Sequence, residues 1–143
     1  MDGRRQLSSL NVGERAMKFK ASCITWQHEN GVAMLGFADD EFNTTQYLLL
    51  QRTLEPDQQD CALGHDWVHI QLNERSAYGT VEEAQLQKDS VVLRLDDATA
   101  ATVSDGENIE ITFDVPTTKI KDLAEQFGLL IGQERVRTTR NGW

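Results

Sequence analysis

Apolar residues recur at every second position over most of this chain, and only near its end does their spacing change to three and four. Period two places alternate side chains on opposite faces of a strand, whereas spacing of three and four places them on one face of a helix. Ile109, Ile111, Phe113 and Val115 alternate with Glu110, Thr112 and Asp114, the clearest strand pattern in the sequence. Val68, Ile70 and Leu72 alternate with His69 and Gln71, and Val91, Leu93 and Leu95 with Val92, Arg94 and Asp96. Met17, Phe19, Ala21 and Cys23 form another such run, after which Ile24 and Trp26 take up the other parity. A bulge or a doubly buried strand end accounts for that change. Asn30-Gly31 is a hairpin turn signal leading into the run from Val32 to Ala38. From Tyr47 to Leu54 both parities are apolar, as expected of a central strand covered on both faces.

Asp97 to Val103 fits one short helical turn or two, ended by Ser104-Asp105-Gly106. The convincing helix opens at Pro116-Thr117-Thr118. Ile120, Leu123, Ala124, Phe127, Leu130 and Ile131 share one face, Thr117 or Thr118 is placed to cap it, and Gly132 to end it. Gly128 within it costs about 1 kcal/mol relative to Ala, which points to close packing on a neighbour. The expected fold is therefore α+β, a mostly antiparallel sheet of about six or seven strands with this C-terminal amphipathic helix packed on one face.

A chain of 143 residues is expected to form a single domain over 1–143, with flexible ends at 1–15 and 133–143. That length buries roughly 70% of the surface the unfolded chain exposes, enough to need no metal or disulfide staple. Both cysteines, Cys23 and Cys61, are expected to be reduced. The apolar runs are far shorter than the ~20 residues of a membrane span, and the start lacks the apolar stretch of a secretory signal, so a cytoplasmic location is expected.

The charge is unevenly spread. Residues 21–118 hold eighteen Asp and Glu against four Lys and Arg, a net of −14 within a chain whose total is −9. Such a body repels phosphate, which disfavours nucleic acid; the charge either suits a basic partner or serves solubility alone. No nucleophile elbow, phosphate-binding loop, zinc-protease helix or dinucleotide fingerprint occurs. Cys61, His65 and His69 have a metal-like spacing, but on a strand the two histidines stand about 13 Å apart, too far for one ion. Carboxylate pairs at Asp39-Asp40, Glu82-Glu83 and Asp96-Asp97 are too common here to single out an acid–base couple. No catalytic residue, cofactor or metal is assigned.

Several segments together resemble the immunity protein 10 family of bacterial polymorphic toxin systems. They are Tyr47-Leu48-Leu49-Leu50-Gln51-Arg52, then Asp60 with Ala62-Leu63-Gly64, then Tyr78-Gly79 followed by Val81-Glu82. Their order also fits, with F-A-D-D-E before the leucine-rich strand and L-R-L-D and I-E-I-T-F-D before the closing helix, so that the resemblance runs from about Ile24 to Ile131. It implies an antidote that neutralises a cognate toxin domain by tight binding rather than catalysis. An acidic surface suits a basic toxin domain, and a rigid sheet offers a fixed surface at little ordering cost. The candidate toxin-binding residues are Asp39, Asp40, Glu41, Asp57, Asp60, Asp66 and Trp67, with Glu82 and Glu83. Trp67 points opposite Val68, on a second covered face or into solvent, where it would be a binding hot spot. Tyr78 either anchors a partner or packs on its own sheet beside a turn. Gln51 and Arg52 are expected to brace a turn or a nearby carboxylate, and Gly64 and Gly79 to supply backbone conformations other residues resist. The rival functions are an acidic adaptor or inhibitor outside toxin systems and a small hydrolase.

Overall fold

The computed structural model describes residues 16–54 and 68–138. They form ten strands, β1 (Ala16–Lys20), β2 (Cys23–Glu29), β3 (Val32–Ala38), β4 (Tyr47–Thr53), β5 (Val68–Leu72), β6 (Arg75–Gly79), β7 (Val81–Leu86), β8 (Ser90–Leu95), β9 (Asn108–Thr112) and β10 (Val136–Thr138). Two α-helices, α1 (Asp97–Val103) and α2 (Thr117–Ile131), and a 3-10 turn at Gln133–Arg135 complete them. The fold is α+β, but there are two five-stranded sheets where one was expected, in the orders β1-β9-β8-β7-β10 and β2-β3-β4-β5-β6. Pairing is antiparallel except for β1 with β9 and β10 with β7.

The parity change after Cys23 has its cause here. The run is not one bulged strand but two strands in different sheets, and Ala21-Ser22 carries the chain from one to the other. Met17 and Phe19 face the core from the first sheet, while Ile24 and Trp26 do so from the second. The Asn30-Gly31 turn has φ of 56° and 76°, both positive, as a two-residue hairpin with strand-matching twist requires.

The inner faces share one core. Ala33, Leu35 and Phe37 of β3, Leu48 and Leu50 of β4 and Ile70 of β5 meet Leu93, Ile109 and Ile111 of the first sheet. The α2 helix touches strands of both sheets rather than lying over one face, and Phe127 stacks on Phe37 with centroids 6.1 Å apart. Neither Thr117 nor Thr118 caps it. Pro116 is the N-cap, which makes no side-chain bond, and Gly132 ends the helix at φ 101°. Beyond the helix, the 3-10 turn at Gln133–Arg135 leads into β10, whose Val136–Thr138 pair with β7.

β4 is central, as its composition predicts, and its two faces are covered to different degrees. Leu48 and Leu50 are buried, and Tyr47 and Leu49 are half-buried on the outer face. The turn expected at Tyr78-Gly79 lies instead at Asn73-Glu74, where Asn73 has φ 56°, and Tyr78 and Gly79 belong to β6. Gly79 does not adopt positive φ. Its role is proximity, because a Cβ there would overlap the side chain of Thr99 on α1.

Candidate functional site

The β3–β4 connection, Asp39 to Gln46, carries three of the sequence-predicted acidic residues, Asp39, Asp40 and Glu41. Its conformation is written in the two aspartates. Asp40 Oδ1 accepts from the backbone N–H of Phe42 and of Asn43, both at 2.8 Å, an arrangement typical of an Asp that closes a turn with its own side chain. Asp39 accepts from the Thr45 hydroxyl and, at 3.0 Å, from the Thr45 N–H. The Thr44 hydroxyl donates to the Asp40 carbonyl at 2.5 Å, and Ser22 Oγ to the Asp39 carbonyl at 2.7 Å. These bonds favour the ionised carboxylates. The Thr45 hydroxyl, then the Thr45 N–H, hold the Asp39 pKa below its ordinary value, and the N–H groups of Asn43 and Phe42 do the same for Asp40.

Two consequences follow. Asp39 and Asp40 keep their charge but are engaged in folding the loop, whereas Glu41 is exposed beside them. The loop also presents a large apolar side chain, Phe42, 86% exposed, which was not among the sequence-predicted residues. The signal was there: an aromatic in the polar stretch D-D-E-F-N with no apolar residue two positions to either side.

Beside this loop, on the outer face of the second sheet, lies a groove of about 250 Å³ bordered by Cys23, Thr25, Ala38, Thr44, Tyr47 and Leu49. Gly36 forms its floor, where a Cβ would stand 2.9 Å from Thr25 Oγ1 and 3.5 Å from Leu49 Cδ1. Tyr47 is held at the rim, its hydroxyl accepting from Gln71 Nε2 at 2.7 Å and its N–H donating to Asn73 Oδ1 at 2.9 Å. Cys23 carries a free thiol. His69 and Tyr78 pack ring against ring farther along the face, with centroids 4.9 Å apart, so Tyr78 packs on its own sheet.

Glu82 and Glu83 are not part of this surface. They sit at the β7 bulge on the outer face of the first sheet, across the core, where Glu82 pairs with Arg94 at 2.6 Å and Glu83 with Arg137 at 3.5 Å. Asp57, Asp60, Asp66 and Trp67, like Cys61, Gly64 and His65, lie outside the described residues. Arg52 is a structural joint. Its Nη1 donates to the Leu130 carbonyl in the last turn of α2 at 2.9 Å, and this satisfies a carbonyl the helix leaves free. Arg135 likewise donates to the Val81 carbonyl at 3.2 Å.

The family model for immunity protein 10 matches residues 20–121, from the last residue of β1 into α2. The chain belongs to the immunity protein 10 family. The match covers every strand except most of β1 and β10, and it includes both the acidic β3–β4 loop and the groove beside it. No curated protein matches the chain. Among the described residues no helix is long and apolar enough to cross a membrane. Membership implies a toxin-neutralising role.

Proposed function

We propose that this immunity protein 10 family member is a cytoplasmic antidote that binds and blocks a cognate toxin domain encoded by a neighbouring gene, and that the toxin's contact surface is basic. The observation that carries this reading is the −14 balance over residues 21–118, which overlaps the family match at 20–121 almost completely. Negative charge on a preformed scaffold raises the rate at which a basic domain is captured, and the scaffold keeps the ordering cost of the complex small. Inhibition then follows from occupancy and needs no chemistry.

The test is co-expression. The C-terminal domain of the adjacent upstream gene product is induced in a sensitive bacterium with and without this protein, and the two are then co-purified. Growth rescue with a stable complex is the expected result. Expression of both proteins without rescue would refute the pairing, and rescue without a complex would point to a hydrolase acting on the toxin's product. The charge component has its own check. Glu41→Gln with Glu74→Gln removes two exposed charges at the loop end of the second sheet without touching the bonds of Asp39 and Asp40. Association should slow several-fold at low salt and depend less steeply on ionic strength, and an unchanged on-rate would place the charged contact elsewhere.

A further inference from the structure

The two sheets both bury their inner faces, yet their outer faces differ in kind. The first presents Lys18, Glu110, Arg94, Glu82, Glu83 and Arg137, joined in ion pairs, which is how a solvated sheet face is built. The second presents apolar and neutral side chains, among them Met34, Leu49, Tyr47 and Tyr78. Among its described strand residues it holds a single carboxylate, Glu29, at the end away from the β3–β4 loop. In so acidic a protein an uncharged face is not explained by solubility. Depletion of charge with retained aromatics marks the centre of an interface, and a charged border marks its rim.

The rim is at the loop end, where Asp39, Asp40 and Glu41 gather with Glu74 of the β5–β6 turn. From it Phe42 projects as a knob, and beside it the groove over Gly36 forms a hole. A phenylalanine held in water by a loop already folded around Asp39 and Asp40 loses apolar exposure on docking while little chain is ordered, the condition under which one side chain dominates affinity. We propose that this outer face, from the Gly36 groove to Phe42, is the docking surface for the toxin domain. The partner it fits is a protein surface with an apolar pocket for Phe42 and a protruding apolar side chain for the groove, both bordered by Lys and Arg. The assignment rests on the toxin-neutralising reading above and adds to it the face and the anchor.

The experiment compares the wild-type protein with Phe42→Ala, Leu49→Lys and, as a control on the first sheet's outer face, Val92→Lys, each checked for folding by urea unfolding. Affinity for the purified toxin domain is measured by titration calorimetry. Phe42→Ala should weaken binding roughly 30-fold or more, as expected of a hot-spot anchor. Leu49→Lys, which puts a cation into the groove facing a basic partner, should weaken it at least as much, and Val92→Lys should stay within about 3-fold. Phe42 is exposed and none of the loop's bonds uses its side chain, so this variant keeps the test decisive if Leu49→Lys fails to fold. In a Cys61→Ser background, complex formation should slow alkylation of Cys23 in the groove. Wild-type binding that neither Phe42→Ala nor Leu49→Lys weakens would overturn the assignment while leaving the toxin reading intact. No binding by the wild-type protein would remove that reading and the assignment with it. A wild-type dimer that Phe42→Ala converts to monomer would show that a second copy occupies the face, and would also overturn the proposal.

Discussion

Gly79 offers a direct test of how β6 and α1 are joined. It pairs with Val68 in the second sheet, and Thr99 on α1 packs directly over it. A methyl group at position 79 would overlap the Thr99 hydroxyl and lie 2.9 Å from its Cβ and Cγ2, closer than real Cβ contacts come. Rotating the Thr99 side chain leaves the contact with its Cβ, whose place is set by the backbone N–H bound to Asp96 Oδ1 at 2.8 Å in the helix cap. Gly79→Ala must therefore push α1 off the sheet. Overpacking of this kind costs about 1–3 kcal/mol. The gain from a less flexible unfolded chain returns roughly 0.5–1 kcal/mol. A net loss of about 0.5–2 kcal/mol is expected, which at this chain length lowers Tm by roughly 2–8 °C. The decisive measurement is a double-mutant cycle with Thr99→Ala, read by urea unfolding. Removing the hydroxyl and methyl of Thr99 takes away the worst overlap and leaves the Cβ contact, so Gly79→Ala should cost clearly less in the Thr99→Ala background. Coupling of about 1 kcal/mol is expected. Additivity within about 0.5 kcal/mol would refute close approach as the reason for glycine and return the explanation to backbone conformation.

Gly128→Ala should behave differently although a Cβ there also meets a neighbour, because that neighbour is the amide end of Gln133, an exposed and flexible side chain. The helix gains up to about 1 kcal/mol, so the variant should be neutral or more stable in urea, and a loss above about 1 kcal/mol would show that Gln133 is fixed. Arg52→Ala removes the charged donor to the Leu130 carbonyl and should cost about 1–3 kcal/mol; Arg52→Met, which keeps the apolar stem, separates the hydrogen bond from packing. The pH dependence has a definite sign. Asp39 and Asp40 have folded pKa values below the ordinary 3.8, so the order they lend the loop is fully present above that value and is lost as pH falls through their lower folded values. Carboxyl NMR titration should show both midpoints below 3.8, with the Phe42 and Asn43 amides shifting in step, and ordinary midpoints would refute the bonding of the loop.

Much of this architecture is local and was therefore legible. Alternation marks strands whatever they pair with, Asn30-Gly31 specifies its turn through two positive φ values, and the apolar spacing from Ile120 to Ile131 marks one buried helix face. The acidic balance is a property of composition and needs no fold. Partnership is not local. The run from Met17 to Trp26 reads as one irregular strand because nothing in its own residues says that β1 pairs with β9, far along the chain, while β2 pairs with its neighbour β3. The short strands β6 and β10 have little alternation, and pairing defines them.

The same limit governs the candidate site. Apolar residues at both parities of β4 predict two covered faces, but an apolar outer face waiting for a partner has the same composition as one covered by its own chain. The tertiary structure shows which parity turns inward, by placing Leu48 and Leu50 in the core and Tyr47 and Leu49 beside the groove. Likewise Asp39 and Asp40 are legible as charge, but that they fold the loop and leave Phe42 as its exposed tip depends on where their oxygens point. Element types, the helix face and the sign of the surface follow from composition and from residues near one another in the chain. The division into two sheets, the face left open and the residue it presents were decided by contacts between distant segments, where each strand's inward side depends on the sheet it joins.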